Sequence, residues 1–151
     1  MTHVEIEERI EASAEAVWDC LLGSRSAELA IGIYAESVEI DGEGVGSIRT
    51  SQLLGGAGTI RERIDQLDEA GFLCRYSVVD RGPLPFADYR GQIKLTPEGA
   101  DACVVKLEAD FTPAGMSEQD SVDLYLSNNH GAIAKIREFL GLPVVERSGM
   151  G

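Results

Sequence analysis

Along residues 3–11 apolar and polar side chains alternate, with Val4 and Ile6 set against Glu5 and Glu7 and Ile10 between Arg9 and Glu11. That is the period of a strand with one face buried. After Ser13 the period changes. Val17, Trp18, Leu21 and Leu22 share one helical face, Ser13 supplies an N-cap and Gly23 a stop, so a helix is expected over 13–22. A second, short helix is expected over 26–31. From residue 35 the alternating period returns, and strands are expected over 35–40, 46–54, 59–67, 72–80, 87–96 and 102–112. Gly-rich or Asp-containing turns punctuate them, apart from Arg81-Gly-Pro-Leu-Pro, which is too Pro-rich to be sheet. Residues 117–140 are helical again, with Ser117 as cap, Gly141 and Pro143 as stop, and Val122, Tyr125, Ile133, Ile136 and Leu140 along one face.

Consecutive hairpins build an antiparallel sheet, and a sheet with one apolar face must cover it. The last helix is the one large element left to do so. The expected fold class is α+β: a curved antiparallel sheet of about seven strands around a long C-terminal helix, with two short helices after the first strand. One domain is expected over 1–143, followed by a loose tail over 144–151.

Composition narrows the partners. Thirteen Lys and Arg against 26 Asp and Glu leave a formal charge of −13, which opposes phosphate backbones and anionic lipid surfaces. Neither nucleic acid nor membrane insertion is expected, and no apolar run is long enough to span a bilayer. The N-terminus lacks the basic start and apolar stretch of a secretory signal, which points to a cytoplasmic protein. Cys20, Cys74 and Cys103 have no metal or redox spacing and read as buried free thiols. His3 and His130 have no ligand partners at metal spacing, so no metal is expected. Leu54-Gly-Gly-Ala-Gly joins two strands rather than opening a helix, which argues against a phosphate cradle, and no cofactor is expected.

Period-two alternation singles out Glu62, which shares a strand face with Ile60 and Ile64. Two placements are open. On the concave face its carboxylate would sit in a low-dielectric pocket, able to accept a ligand hydroxyl or exchange a proton; at the sheet edge it would pair with Arg61, Arg63 or Arg90. Asn129 falls on the apolar stripe of the last helix with Tyr125, where a buried amide needs partners. Tyr76 sits on the strand over 72–80 and can point either way. Binary pattern turns Lys106 outward, opposite Val105 and Leu107.

The order of elements, with Ile10-Glu-Ala-Ser-Ala-Glu-Ala-Val-Trp-Asp near the start, Arg61-Glu-Arg-Ile-Asp-Gln-Leu-Asp in mid-chain, and Gly82-Pro-Leu-Pro-Phe-Ala-Asp-Tyr followed by Asp110-Phe-Thr-Pro, resembles the START-like or SRPBCC superfamily. Within it the chain looks most like bacterial polyketide cyclase/dehydrase proteins and, more distantly, plant abscisic-acid receptors and birch-pollen-allergen-like proteins. The resemblance implies a helix-grip fold with an internal cavity for apolar or aromatic molecules, and no single activity. It also implies a cavity glutamate at Glu62 and a cavity tyrosine at Tyr89. Tyr34 stands where the receptors carry a lysine, which favours an uncharged ligand. The same alignment would turn Lys106 inward, against the binary pattern.

The expected ligand-binding set is therefore Tyr34, Glu62, Tyr76, Leu84, Phe86, Tyr89, Tyr125 and Asn129. Leu84 and Phe86 ride on a Pro-stiffened turn that suits a hydrophobic lid, and the loop after Leu54 is the second expected gate. The expected partner is a small apolar molecule, carried or sensed by a monomer or homodimer. The alternative is a cyclase, dehydratase or aromatase in which Glu62 and Tyr89 act as acid and base. A ligand-gated protein-interaction module is a third reading.

Overall fold

The structure is a computed structural model that describes residues 1–31 and 33–143; the tail expected over 144–151 lies outside the described residues. Its elements run β1 (Thr2–Ile10), α1 (Ala14–Leu21), α2 (Ser26–Ala30), β2 (Ala35–Asp41), β3 (Ile48–Leu53), β4 (Thr59–Asp68), β5 (Leu73–Asp80), β6 (Phe86–Pro97), β7 (Cys103–Pro113) and α3 (Glu118–Phe139). The expected α+β helix-grip arrangement is what forms. Both caps read from the sequence are made: Ser13 Oγ accepts from the Ala16 amide at 3.1 Å, and Ser117 Oγ from the Asp120 amide at 3.1 Å. At the far end of α3, Gly141 adopts φ 69°. The Leu142 amide then donates to the Arg137 carbonyl and the Gly141 amide to that of Glu138, a Schellman closure.

Seven antiparallel strands form one sheet in the order β1-β7-β6-β5-β4-β3-β2. From β2 to β7 each strand pairs with its successor, as hairpin connections dictate. β1 and β2, adjacent along the chain, lie at opposite edges, and α1 and α2 carry the chain between them.

The concave face is apolar because the period-two pattern is kept. In β7 Cys103, Val105, Leu107, Ala109 and Phe111 are buried, while Lys106 is partly exposed and makes ion pairs with Glu5 and Glu108. The outward placement of Lys106 is thus the one adopted. One core region joins Ile6, Ile10, Val17, Trp18, Leu95, Val105 and Leu107 to Ile133 and Ile136 of α3. A second gathers Val4, Phe86, Tyr89, Ala109, Phe111 and Tyr125. Each large apolar side chain so buried contributes about 1.5–3 kcal/mol.

One polar cluster fixes α3 against the edge strand. Glu8 accepts from Arg137 Nη1 at 3.1 Å and lies 2.8 Å from His130 Nδ1, while Arg137 Nη2 donates to the Arg9 carbonyl at 2.9 Å. Arg137 is only 8% exposed, a buried charge that the apolar stripe of the helix did not reveal. His130 belongs to this structural cluster.

Candidate functional site

A cavity lies between the concave face of the sheet and α3, in two lobes. The larger, about 360 Å³, sits beneath α1, α2 and the turn between β2 and β3, and is walled by residues such as Leu22, Leu29, Ile64, Cys74 and Ile93. The smaller, about 170 Å³, continues toward the Pro-rich loop between Ile60, Val78, Leu84, Phe86, Tyr89 and Tyr125. Ile33, Tyr34, Glu62, Tyr76, Asn129 and Ala132 line both, so the lobes meet at Glu62. All eight residues of the expected ligand-binding set therefore border one space.

Local strand irregularities aim several of them. Phe86 and Tyr89 are three residues apart, and in a regular strand they would face opposite sides. The pairing of β6 with β7 shifts register between Ala87 and Arg90, with Asp88 at φ 52°. This bulge turns both aromatic rings to the concave side. In β4 a shift between Ile64 and Gln66 likewise puts Ile64 and Leu67 on the cavity wall. Gly91 clears the ground for Tyr76: a β-carbon at Gly91 would lie 2.3 Å from Tyr76 Cζ, so the phenol ring occupies the volume of the missing side chain.

The tyrosines form a connected aromatic wall. Tyr76 Oη and Tyr89 Oη are 3.2 Å apart, and the Tyr89 ring lies 6.2 Å from Phe111 and 6.5 Å from Tyr125. Burial pushes the phenols of Tyr76, Tyr89 and Tyr125 well above their usual range. Burial, reinforced by the charge of Glu62, pushes Tyr34 up to about 12. At neutral pH all four are protonated and act as hydrogen-bond partners rather than bases. Burial also raises the Cys74 thiol to about 11, leaving it an unreactive part of the wall.

Glu62 is enclosed by protein and reaches open space through the cavity it borders. Burial raises its carboxyl above the ordinary value, and the nearby Arg49 guanidinium partly offsets this. The edge placement for Glu62 is not adopted: Arg61 pairs with Asp80 and Arg63 with Asp65 instead. Arg49 was not singled out from the sequence. It stands directly opposite Glu62 in the β3–β4 register and lines the larger lobe. Counting outward from the Gly-rich turn would have paired the two, because Gln52 faces Thr59 and each further step moves one residue along both strands.

Among the described residues Arg49 Nη2 is buried without a hydrogen-bond partner. Ser51 Oγ is similarly buried without a well-formed bond, beside the Tyr34 phenol. The amide of Asn129 donates to the Tyr125 carbonyl at 2.9 Å, one turn back on α3, leaving its oxygen as an acceptor.

Only one of the two expected gate loops borders the cavity. Leu84 and Phe86 of the Pro-rich loop do so, and Arg81 Nη1 braces that loop by donating to the Leu84 carbonyl at 2.6 Å. The loop after Leu54 lies outside the lining because it is pinned elsewhere: the Leu54 amide donates to the Tyr34 carbonyl and the Gly55 amide to Glu36. It buttresses the other loop instead, and a β-carbon at Gly58 would come within 2.9 Å of Pro83 Cδ. The loop that borders the larger lobe is instead the β2–β3 turn, through Gly42, Glu43, Gly44 and Ser47.

Comparison with known proteins agrees with this architecture. The profile of the family described as "Polyketide cyclase / dehydrase and lipid transport" matches residues 1–127, and the chain belongs to that family. Among solved structures, protein XoxI of Bacillus cereus is 22% identical with a TM-score of 0.77, covering 91% of this chain and 94% of its own. A putative uncharacterized protein of Bacillus thuringiensis is 21% identical with a TM-score of 0.76, covering 91% of this chain and 97% of its own. Norcoclaurine synthase of Thalictrum flavum, solved with dopamine and hydroxybenzaldehyde, is 22% identical with a TM-score of 0.70, covering 93% of this chain and 86% of its own. No curated protein matches the chain. Among the described residues no helix is long and apolar enough to cross a membrane.

Proposed function

We propose that the protein binds a small, uncharged, aromatic or otherwise apolar molecule in this cavity, as a carrier or sensor. The observation that carries the reading is the two-lobed space meeting at Glu62, with mostly apolar walls and a few convergent polar groups, the usual make-up of a small-molecule site. Tyr34, standing where the receptor relatives carry a lysine, favours an uncharged ligand. Arg49 does bring a cation to the cavity wall, but it faces Glu62, so the opposed pair presents a dipole rather than a net charge. The family includes lipid transport in its description, and the same fold holds dopamine and hydroxybenzaldehyde in norcoclaurine synthase.

The test is calorimetric titration with 2-naphthol, against wild type and Ala132→Trp, which fills the junction of the lobes. Wild type binds and the variant, still folded by circular dichroism, does not. Equal binding by both would place the ligand elsewhere. Mass spectrometry of small molecules retained through native purification then identifies the natural ligand.

A second reading rests on the raised carboxyl of Glu62 beside four protonated phenols. It is a cyclase, dehydratase or aromatase in which Glu62 exchanges a proton with the substrate and Tyr89 donates a hydrogen bond or proton. Under it, Glu62→Gln loses turnover while substrate affinity stays largely intact; a variant that loses affinity alone speaks for the carrier.

A further inference from the structure

We infer that the ligand carries a neutral head group in which a carbonyl acceptor and an N–H or O–H donor lie one or two bonds apart, held between Arg49 and Glu62. This rests on the cavity reading above and names the chemistry the site selects. Residues directly opposite in an antiparallel pair have β-carbons about 4.5–5.5 Å apart on the same face. Arg49 and Glu62 are so placed, Glu62 where the two lobes meet and Arg49 on the wall of the larger one. Even so, they make no direct ion pair: none of the described salt bridges or hydrogen bonds joins them, and Arg49 Nη2 is left buried and unpartnered.

Arginine stays charged at any working pH and presents a planar fork of donors, so it calls for an acceptor. A carboxylate such as Glu62 has acceptors only, so it calls for a donor. A ligand satisfying one alone leaves the other desolvated, and an unmade buried hydrogen bond costs more than a made one contributes. A ligand carboxylate would place a second anion beside Glu62, and a ligand ammonium a second cation beside Arg49. A carboxamide, or a hydroxyl or enol adjacent to a carbonyl, satisfies both. The smaller lobe, with Ile60, Val78, Leu84 and Phe86, takes the hydrocarbon body beyond this head group.

The test uses four probes on one naphthalene frame: 2-naphthamide with donor and acceptor, 2-acetylnaphthalene with acceptor only, 2-naphthol with a hydroxyl, and 2-naphthoate as an anion. Affinities are measured at neutral pH for wild type, Arg49→Met, Glu62→Met and the double variant. The double variant removes both charges, so that neither is left buried alone if a single variant folds poorly. Wild type should bind 2-naphthamide tightest. Arg49→Met should weaken the amide and the ketone roughly tenfold while sparing 2-naphthol, and Glu62→Met should weaken the amide and 2-naphthol while sparing the ketone. The double variant should bind the three neutral probes alike.

Arg49→Met weakening all four probes equally, or the double variant keeping the wild-type ranking, would overturn the assignment. So would 2-naphthoate binding tightest to wild type. If none of the four binds, the cavity reading itself falls, and the head-group assignment with it.

Discussion

The packing of Tyr76 against Gly91 gives a quantitative test of how the site is built. Gly91 is buried in mid-strand, and its ideal β-carbon would lie 2.3 Å from Tyr76 Cζ and 2.5 Å from both Cε1 and Oη. Gly91→Ala therefore forces the ring to move, and the open side is the cavity that Tyr76 lines. The displaced ring gives up its 3.2 Å hydrogen bond with Tyr89, about 1 kcal/mol. Overpacking adds about 1–3 kcal/mol, while replacing glycine within a strand returns about 0.5–1 kcal/mol. The net is a destabilisation near 2 kcal/mol, which for a chain of this size lowers the melting temperature by about 4–8 °C. The assay is thermal denaturation with titration of a naphthalene probe, and affinity should fall as the ring enters the ligand space. A double-mutant cycle with Tyr76→Val separates this contact from other effects. The smaller side chain should absorb most of the cost of Gly91→Ala, as expected of coupled neighbours. A Gly91→Ala protein as stable as wild type, or costs that simply add in the double variant, would refute the reasoning.

Three further outcomes follow from the geometry. Because burial raises Glu62 above its ordinary value of 4.5, the folded state holds that proton more tightly than the unfolded chain, and this contribution to stability is present in acid and lost as pH rises through that range. Glu62→Gln should thus gain on wild type between pH 4 and pH 7 in denaturant titrations; a stability difference independent of pH would contradict the burial of an ionising carboxyl. Glu8→Leu strands the guanidinium of Arg137 and should cost about 3–5 kcal/mol, most of it recovered in the double variant with Arg137→Leu, whose denaturation midpoint decides the matter. Lys106→Ala, on the convex face among Glu5 and Glu108, should change neither the melting curve nor probe affinity, and a loss of affinity would mean the amine reaches the cavity.

Element order, hairpin succession and the identity of the concave face were legible along the chain, because the period of apolar residues is a local property that each strand or helix expresses on its own. Period two put Glu62 on one face with Ile60 and Ile64 and left its concave and edge placements open, which the folded sheet resolves toward the cavity, and helical phase set Asn129 beside Tyr125. What pairs with what is decided between strands. Apolar residues fall on both faces of β3, with Ile48 opposite in sense to Leu53, so its alternation did not show that Arg49 turns inward; the register with β4 does. Phe86 and Tyr89 share a face only through the bulge at Asp88, and Glu8 meets Arg137 only because α3 crosses the edge strand. The polar centre of the cavity is thus a product of tertiary structure: its own strand puts Glu62 on a face with two isoleucines, and the strand that folds back against it supplies the partner.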